Sequence, residues 1–111
     1  MSYMSFDDFK KVEITAGKIL SAEKIPDTDK LLKLSVDFSE SAPRQIVSGI
    51  APYFPDESVL VGKTCMFVTN LEPRTIRGHE SNGMLLAVST DAGLFSLLEP
   101  NDSIPAGAKA A

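Results

Sequence analysis

Apolar and polar residues alternate most regularly from Leu32 to Phe38, where Leu32, Leu34, Val36 and Phe38 are separated by Lys33, Ser35 and Asp37. A period of two buries one face of a β-strand and leaves the other in water. An earlier segment has the same period, with Val12, Ile14 and Ala16 set between Glu13 and Thr15 and the pattern resuming after Gly17 at Ile19 and Leu20. It predicts a long first strand that bends or bulges at the glycine. Pro26-Asp27-Thr28-Asp29 is a turn cluster, so the two segments form a hairpin. Further along, Gln45 to Ser48 predicts a short third strand, and Pro52 to Ser58 a loop or single helical turn. Thr64 to Asn70 is β-branched and aromatic and predicts strand four. The segment from Leu71 to Gly83 holds Pro73 and Gly78 and is expected as a loop. Met84 to Ser89 then predicts strand five, Leu94 to Leu98 one more strand, and Pro100 to Gly107 a turn-rich tail. Ahead of all this, Ser5-Phe6-Asp7-Asp8 puts a hydroxyl N-cap three residues before a carboxylate, and a short N-terminal helix carrying Phe6 and Phe9 is expected to follow.

Five short strands with a helical turn between the third and fourth match the order of an OB-fold, a five-stranded Greek-key barrel of the all-β class. The N-terminal helix and a C-terminal extension are additions to it. The 111 residues suffice for one core, so residues 1–111 are expected as a single domain. A hydrophobic fraction of 43% is too high for a disordered chain. Met84 to Val88 is the longest strongly apolar run, far below the roughly 20 residues of a membrane helix, and Met1 to Lys11 lacks the apolar core of a secretory signal. No membrane association and a cytoplasmic location are the expectations. The net charge of -4 argues against a general polyanion binder, whose surface is usually basic, so any nucleic-acid recognition has to be local and selective for shape.

Little in the chain predicts catalysis. One cysteine and one histidine cannot assemble the usual four-ligand zinc site, and a single cysteine forms no internal disulfide. Neither a metal nor a cofactor is expected. Cys65, beside Met66 and Phe67, reads as a small hydrophobe. His79 precedes Ser81 by two residues, but no oriented carboxylate or oxyanion hole accompanies them. Asp7 and Asp8 belong to the first turn of the helix, and Asp27, Asp29, Asp56 and Glu57 to solvated turns. The basic residues are more informative. OB-folds bind oligonucleotides over strands two and three, between the loop joining strands one and two and the loop joining four and five. The first of these loops carries Lys30, the second Arg74 and Arg77, strand two projects Lys33, and Arg44 opens strand three. Scattered in sequence, they converge on one rim.

From Asn70 to Ala87 the chain reads NLEPRTIRGHESNGMLLA, which resembles the signature of the tRNA-binding domain family. That family includes free-standing bacterial tRNA-binding proteins, the C-terminal dimerising domain of methionyl-tRNA synthetase and the tRNA-binding part of the EMAP II precursor. SFDDFKKVEITAGKI, DTDKLLKLSVDF, RQIVSGIAPYF and the closing IPAGAK extend the resemblance over essentially the whole chain. It implies that Lys30, Lys33, Arg77, Ser81, Gly83 and Met84 line an RNA-binding surface, to which Lys18, Arg44, Asn70 and Arg74 are added as candidates. Where family members often carry basic residues, this chain has Thr15, Glu72 and Thr75, a thinner positive rim. The implied function is structure-specific, sequence-independent tRNA binding by a non-enzymatic homodimer, with an aminoacyl-tRNA synthetase as a further partner. Phe6, Phe9, Ile104 and Pro105 are the interface candidates. The alternative is a peptide-binding, chaperone-like or synthetase-dimerising module of the same fold. The initiating methionine and the fitted ends of the fold suggest a free-standing product.

Overall fold

The computed structural model describes residues 2–111; Met1, where the expected domain starts, lies outside them. Ser5 caps the one-turn helix α1 (Phe6–Phe9), its hydroxyl accepting from the Asp8 amide at 3.0 Å. Nine strands follow among the described residues: β1 (Ile14–Lys24), β2 (Leu32–Asp37), β3 (Arg44–Ser48), β4 (Thr64–Val68), β5 (Arg74–Ile76), β6 (His79–Ser81), β7 (Met84–Leu85), β8 (Ala87–Ser89) and β9 (Phe95–Leu97). Two short 3-10 turns, Ala51–Tyr53 and Glu57–Leu60, lie between β3 and β4, where the helical turn is expected.

β3, β2, β1, β4 and β7 form one antiparallel sheet in that order. It curls until its two ends meet. Asn82 donates to the Gln45 carbonyl at 2.8 Å, and Gly83, at φ 141°, passes so close to β3 that a Cβ there would lie 2.9 Å from Ile46 Cδ1. The result is the nearly closed five-stranded barrel of an OB-fold, as the strand order predicts. Ile19, Leu32, Leu34, Ile46 and Phe67 fill it and are completely buried, and Phe38 meets Phe67 edge to face with centroids 5.2 Å apart. Leu60, from the second 3-10 turn, is equally buried. The Cys65 thiol belongs to this core, and burial, helped by Glu99, pushes its pKa up to about 11.

Several elements differ from the sequence expectation, each for a tertiary reason. The irregularity in β1 falls between Ile19 and Ser21, not at Gly17. Gly17 serves a different purpose: the Phe38 ring crosses there, and a Cβ would come within 2.4 Å of Cε1. Thr15, expected on an exposed face, is buried and bonded to Thr69 through the two hydroxyls at 2.8 Å, whereas Val12 precedes the strand and is exposed. The tail is less irregular than its turn residues suggest. Gly107 and Ala110 donate to Ala16 and Ile14, and Ala108 accepts from the Ala16 amide, so the tail covers the part of the β1 edge that β2 leaves free. Sequence patterning cannot reveal this, because the residues of such an edge cover need no alternation of their own. Expected strand five divides at Leu86, whose amide turns to Met66 of β4 while β8 leaves the barrel to pair with β9. Finally, the expected loop from Leu71 to Gly83 contains the hairpin β5–β6.

Candidate nucleic-acid interface

That hairpin shapes the candidate surface. Its register pairs Arg74 with Ser81, Thr75 with Glu80 and Ile76 with His79, leaving Arg77-Gly78 as a two-residue turn. Both turn residues have positive φ, 52° and 81°, the combination that matches the right-handed twist of a hairpin. Glycine adopts it freely. Arginine does so at a cost of roughly 1–2 kcal/mol, so the turn holds Arg77 at the tip against its backbone preference.

β6 runs along the free edge of β3. Val47 donates its amide to the Ser81 hydroxyl at 2.9 Å, and that hydroxyl reaches the Gly83 carbonyl at 3.2 Å. The Gln45 side-chain amide donates to the Glu80 carbonyl at 3.0 Å. A transverse row results: Lys33 pairs with Val47 across β2–β3, Val47 bonds Ser81, and Ser81 pairs with Arg74. Two of the three steps are strand pairings about 4.8 Å wide, and the middle one is the Val47–Ser81 hydrogen bond between the barrel sheet and the hairpin. Arg77 lies to the side of this row, at the hairpin tip three residues along the chain from Arg74, and Lys30 is in the β1–β2 loop, where its carbonyl accepts from the Ala51 amide at 3.0 Å. Arg74, Arg77 and Lys30 are exposed, and none of them enters an ion pair among the described residues. Lys33 does, meeting Glu23 at 3.7 Å. With Glu23 65% exposed, such a pair is weak and leaves the ammonium free to exchange partners.

The other candidates separate into two groups. Ser81 and Gly83 lie beneath the surface, the serine only 5% exposed with its hydroxyl turned to β3 and the glycine at the barrel seam. They shape the surface from below. Met84 is 45% exposed at the start of β7, so its side chain is available to a ligand. Lys18, Arg44 and Asn70 are not brought into the row. Lys18 pairs with Asp37, four residues along β2 from Lys33, or about 13 Å at strand rise. Arg44 is bidentate to Glu40 at 2.8 and 2.7 Å, donates to the Thr69 carbonyl and lies over the Phe38 ring. The Glu40 hydrogen bond raises its pKa, and Arg44 in return holds the Glu40 carboxyl below the usual range. Asn70 accepts from the Glu13 amide at 2.8 Å and donates to the Lys11 carbonyl, clamping the approach to β1. Phe6, Phe9, Ile104 and Pro105 are all exposed.

Sequence reasoning overlooked Gln45 and Asn82, which fasten the hairpin to β3. Gln45 alternates with the buried Ile46 and is therefore legible as outward-facing, but no local pattern names its partner. No helix among the described residues is long and apolar enough to cross a membrane.

A curled five-stranded barrel with an adjoining hairpin defines the class of OB-fold proteins. Within that class the particular family is shown by comparison. The family described as "Putative tRNA binding domain" matches residues 14–109, and the chain belongs to it. Methionine-tRNA ligase of Methanoregula boonei is 54% identical over 98 residues, covering 87% of this chain and 14% of the ligase. The Lactococcus lactis ligase is 43% identical over 105 residues, covering 94% and 16%. The chain thus spans about a seventh of the length of these curated relatives. Among solved structures, a MetRS-related protein from Pyrococcus horikoshii is 40% identical with a TM-score of 0.91, all of both chains being covered. The chaperone CsaA of Bacillus anthracis superposes with a TM-score of 0.86 at 27% identity, over 99% of this chain and 100% of its own. The matches to the ligases fall on a tRNA-binding domain, not on a catalytic one.

Proposed function

We propose that the chain is a single tRNA-binding OB-fold domain, residues 1–111, that works as a cytoplasmic homodimer, recognises folded tRNA by shape without reading sequence, and catalyses no reaction. The observation that supports this is the row from Lys33 through Val47 and Ser81 to Arg74, which links two cationic residues from distant parts of the sequence. RNA helices hide their base edges in a deep, narrow groove, so a binder of folded RNA reads backbone position and shape. Lys30, Lys33, Arg74 and Arg77 meet phosphates, and Met84 packs on a ribose or base. Lys18, Arg44 and Asn70 belong to the same surface only if the RNA reaches past the row. Two copies related by a two-fold axis span a folded tRNA better than one, and such dimers are the commonest assembly. Phe6, Phe9, Ile104 and Pro105 are exposed and suit that interface. The similarity to methionine-tRNA ligases supports an aminoacyl-tRNA synthetase as a partner.

Filter binding with folded tRNA, unfolded tRNA and a single-stranded oligomer of equal charge tests the reading. Folded tRNA should bind tightest, with affinity falling by about one to two decades between low and physiological salt if roughly three to five phosphates are met. Equal affinity for all three would refute recognition by shape. A second reading, a peptide-binding or dimerising module, draws support from the likeness to the chaperone CsaA and from the exposed Val88 and Leu94 on the β8–β9 hairpin. Strong, salt-independent binding of apolar peptide without tRNA binding would establish it.

A further inference from the structure

The β5–β6 hairpin forms a two-stranded sheet of its own and is not a member of the barrel sheet. Isolated two-stranded hairpins are marginal in water, so its orientation depends on its attachment. Two backbone groups on the free edge of β3 supply part of that attachment: the Gln45 carbonyl accepts from Asn82 at 2.8 Å, and the Val47 amide donates to Ser81 Oγ at 2.9 Å. The hydroxyl stands where a paired strand would offer a carbonyl. A further link is a side chain, with Gln45 Nε2 reaching the Glu80 carbonyl at 3.0 Å. Ser81 is buried, whereas Gln45 is exposed and adds little to the core.

Glu80 and Ser81 are in β6, and Ser81 is the register partner of Arg74. The tight Arg77-Gly78 turn joins both strands, so rotation of β6 about the Ser81 contact swings Arg74 and Arg77 together. We infer that Gln45, by fastening the Glu80 carbonyl, is a positioning residue that sets the angle of this hairpin and so aims both arginines at the bound RNA. The inference rests on the proposed tRNA-binding surface and adds to it a residue that touches no RNA. A hairpin held at a fixed angle presents its charges at a fixed distance from Lys33, which is what discriminates a folded RNA from a flexible one of equal charge.

The test is a double-mutant cycle, in which residues acting as a unit show non-additive effects. Gln45→Met keeps the length of the side chain and removes the donor. In the otherwise unchanged protein it should weaken folded-tRNA binding by about threefold to tenfold, the span of one net hydrogen bond, and narrow the preference over a single-stranded oligomer. The melting temperature should stay, and the Asn82 amide should exchange faster with deuterium. In an Arg74→Ala/Arg77→Ala background the same substitution should weaken binding no further. An equal loss in both backgrounds would overturn the inference, since Gln45 would then act on the RNA by itself. Unchanged affinity in the single variant, where the double arginine variant does lose affinity, would overturn it while leaving the proposed surface intact. Unchanged affinity in the double arginine variant would refute the surface and the inference together.

Discussion

The barrel and the β5–β6 hairpin are both antiparallel β-structure, yet they are held by different forces. In the barrel, Phe67, Ile19 and Leu34 are withdrawn from water, and apolar burial holds the strands together. In the hairpin only Ser81 is buried, and polar links from Ser81 and Glu80 tie it to β3. Their glycines differ in the same sense. A side chain at Gly17 would strike the Phe38 ring, whereas Gly78 faces open space and is required for its positive φ alone. The barrel is therefore sensitive to volume, and the hairpin to hydrogen bonds and backbone conformation. Under the proposed function, stability rests mainly on the barrel and recognition on the hairpin, so that most substitutions should move one without the other and Ser81, which joins the two regions, should move both.

The largest expected effect breaks the barrel. Phe67→Ala should cost about 3–5 kcal/mol, because it removes a fully buried ring and the edge-to-face partner of Phe38. Urea denaturation measures it, and a loss below about 1 kcal/mol would mean the core is not packed as described. Ser81→Ala comes next, with about 1–3 kcal/mol expected, since it leaves the buried Val47 amide without an acceptor. Hydrogen exchange should show the Val47 amide losing protection, and tRNA affinity should fall with it. Protection equal to that of the unaltered protein would place the serine hydroxyl elsewhere.

Arg77→Asn sharpens the comparison by moving the two properties in opposite directions. Asparagine is favoured at the first position of such a turn, so the melting temperature should rise, by the equivalent of about 0.5 kcal/mol. The charge is gone, so tRNA affinity should fall by about 1–3 kcal/mol and the salt dependence flatten. Loss of both together would show that the arginine supports the fold. Met84→Ala should lower affinity while leaving stability within about 0.5 kcal/mol, as for surface substitutions generally, because the side chain is half exposed. A melting temperature reduced by several degrees would mean that the side chain packs in the core.

The smallest effect concerns pH. Because Arg44 holds the folded-state Glu40 carboxyl below its ordinary value, the pair contributes stability above the carboxylate range. That contribution is lost as the pH falls through the lowered value. Melting temperatures recorded between pH 6 and 3, a window of about three units around the carboxylate values, should fall less steeply for Glu40→Gln. Equal slopes would mean the pair is not formed in solution.

Most of the barrel is legible in local patterns of the chain. Alternation from Leu32 to Phe38 fixes which face of β2 is buried, and the turn clusters delimit the strands because glycine, proline and asparagine act through local backbone geometry. Ser5 is legible as a cap for the same reason, and the resemblance read at Asn70 to Ala87 agrees with the family matched over residues 14–109. The rest depends on contacts between distant segments. Whether Thr15 is buried depends on Thr69, 54 residues away, and whether the tail is a strand-like cover depends on how much of β1 is left unpaired by β2. Ser81 belongs to a motif that reads as ligand-facing, and its hydroxyl turns inward because the Val47 amide on the β3 edge needs an acceptor. Arg44 reads as a surface charge until Glu40 and Phe38 are brought beside it. Local patterns specify which residues prefer water and where the backbone turns; the partner of each polar group is set by long-range closure of the barrel, which no stretch of sequence contains.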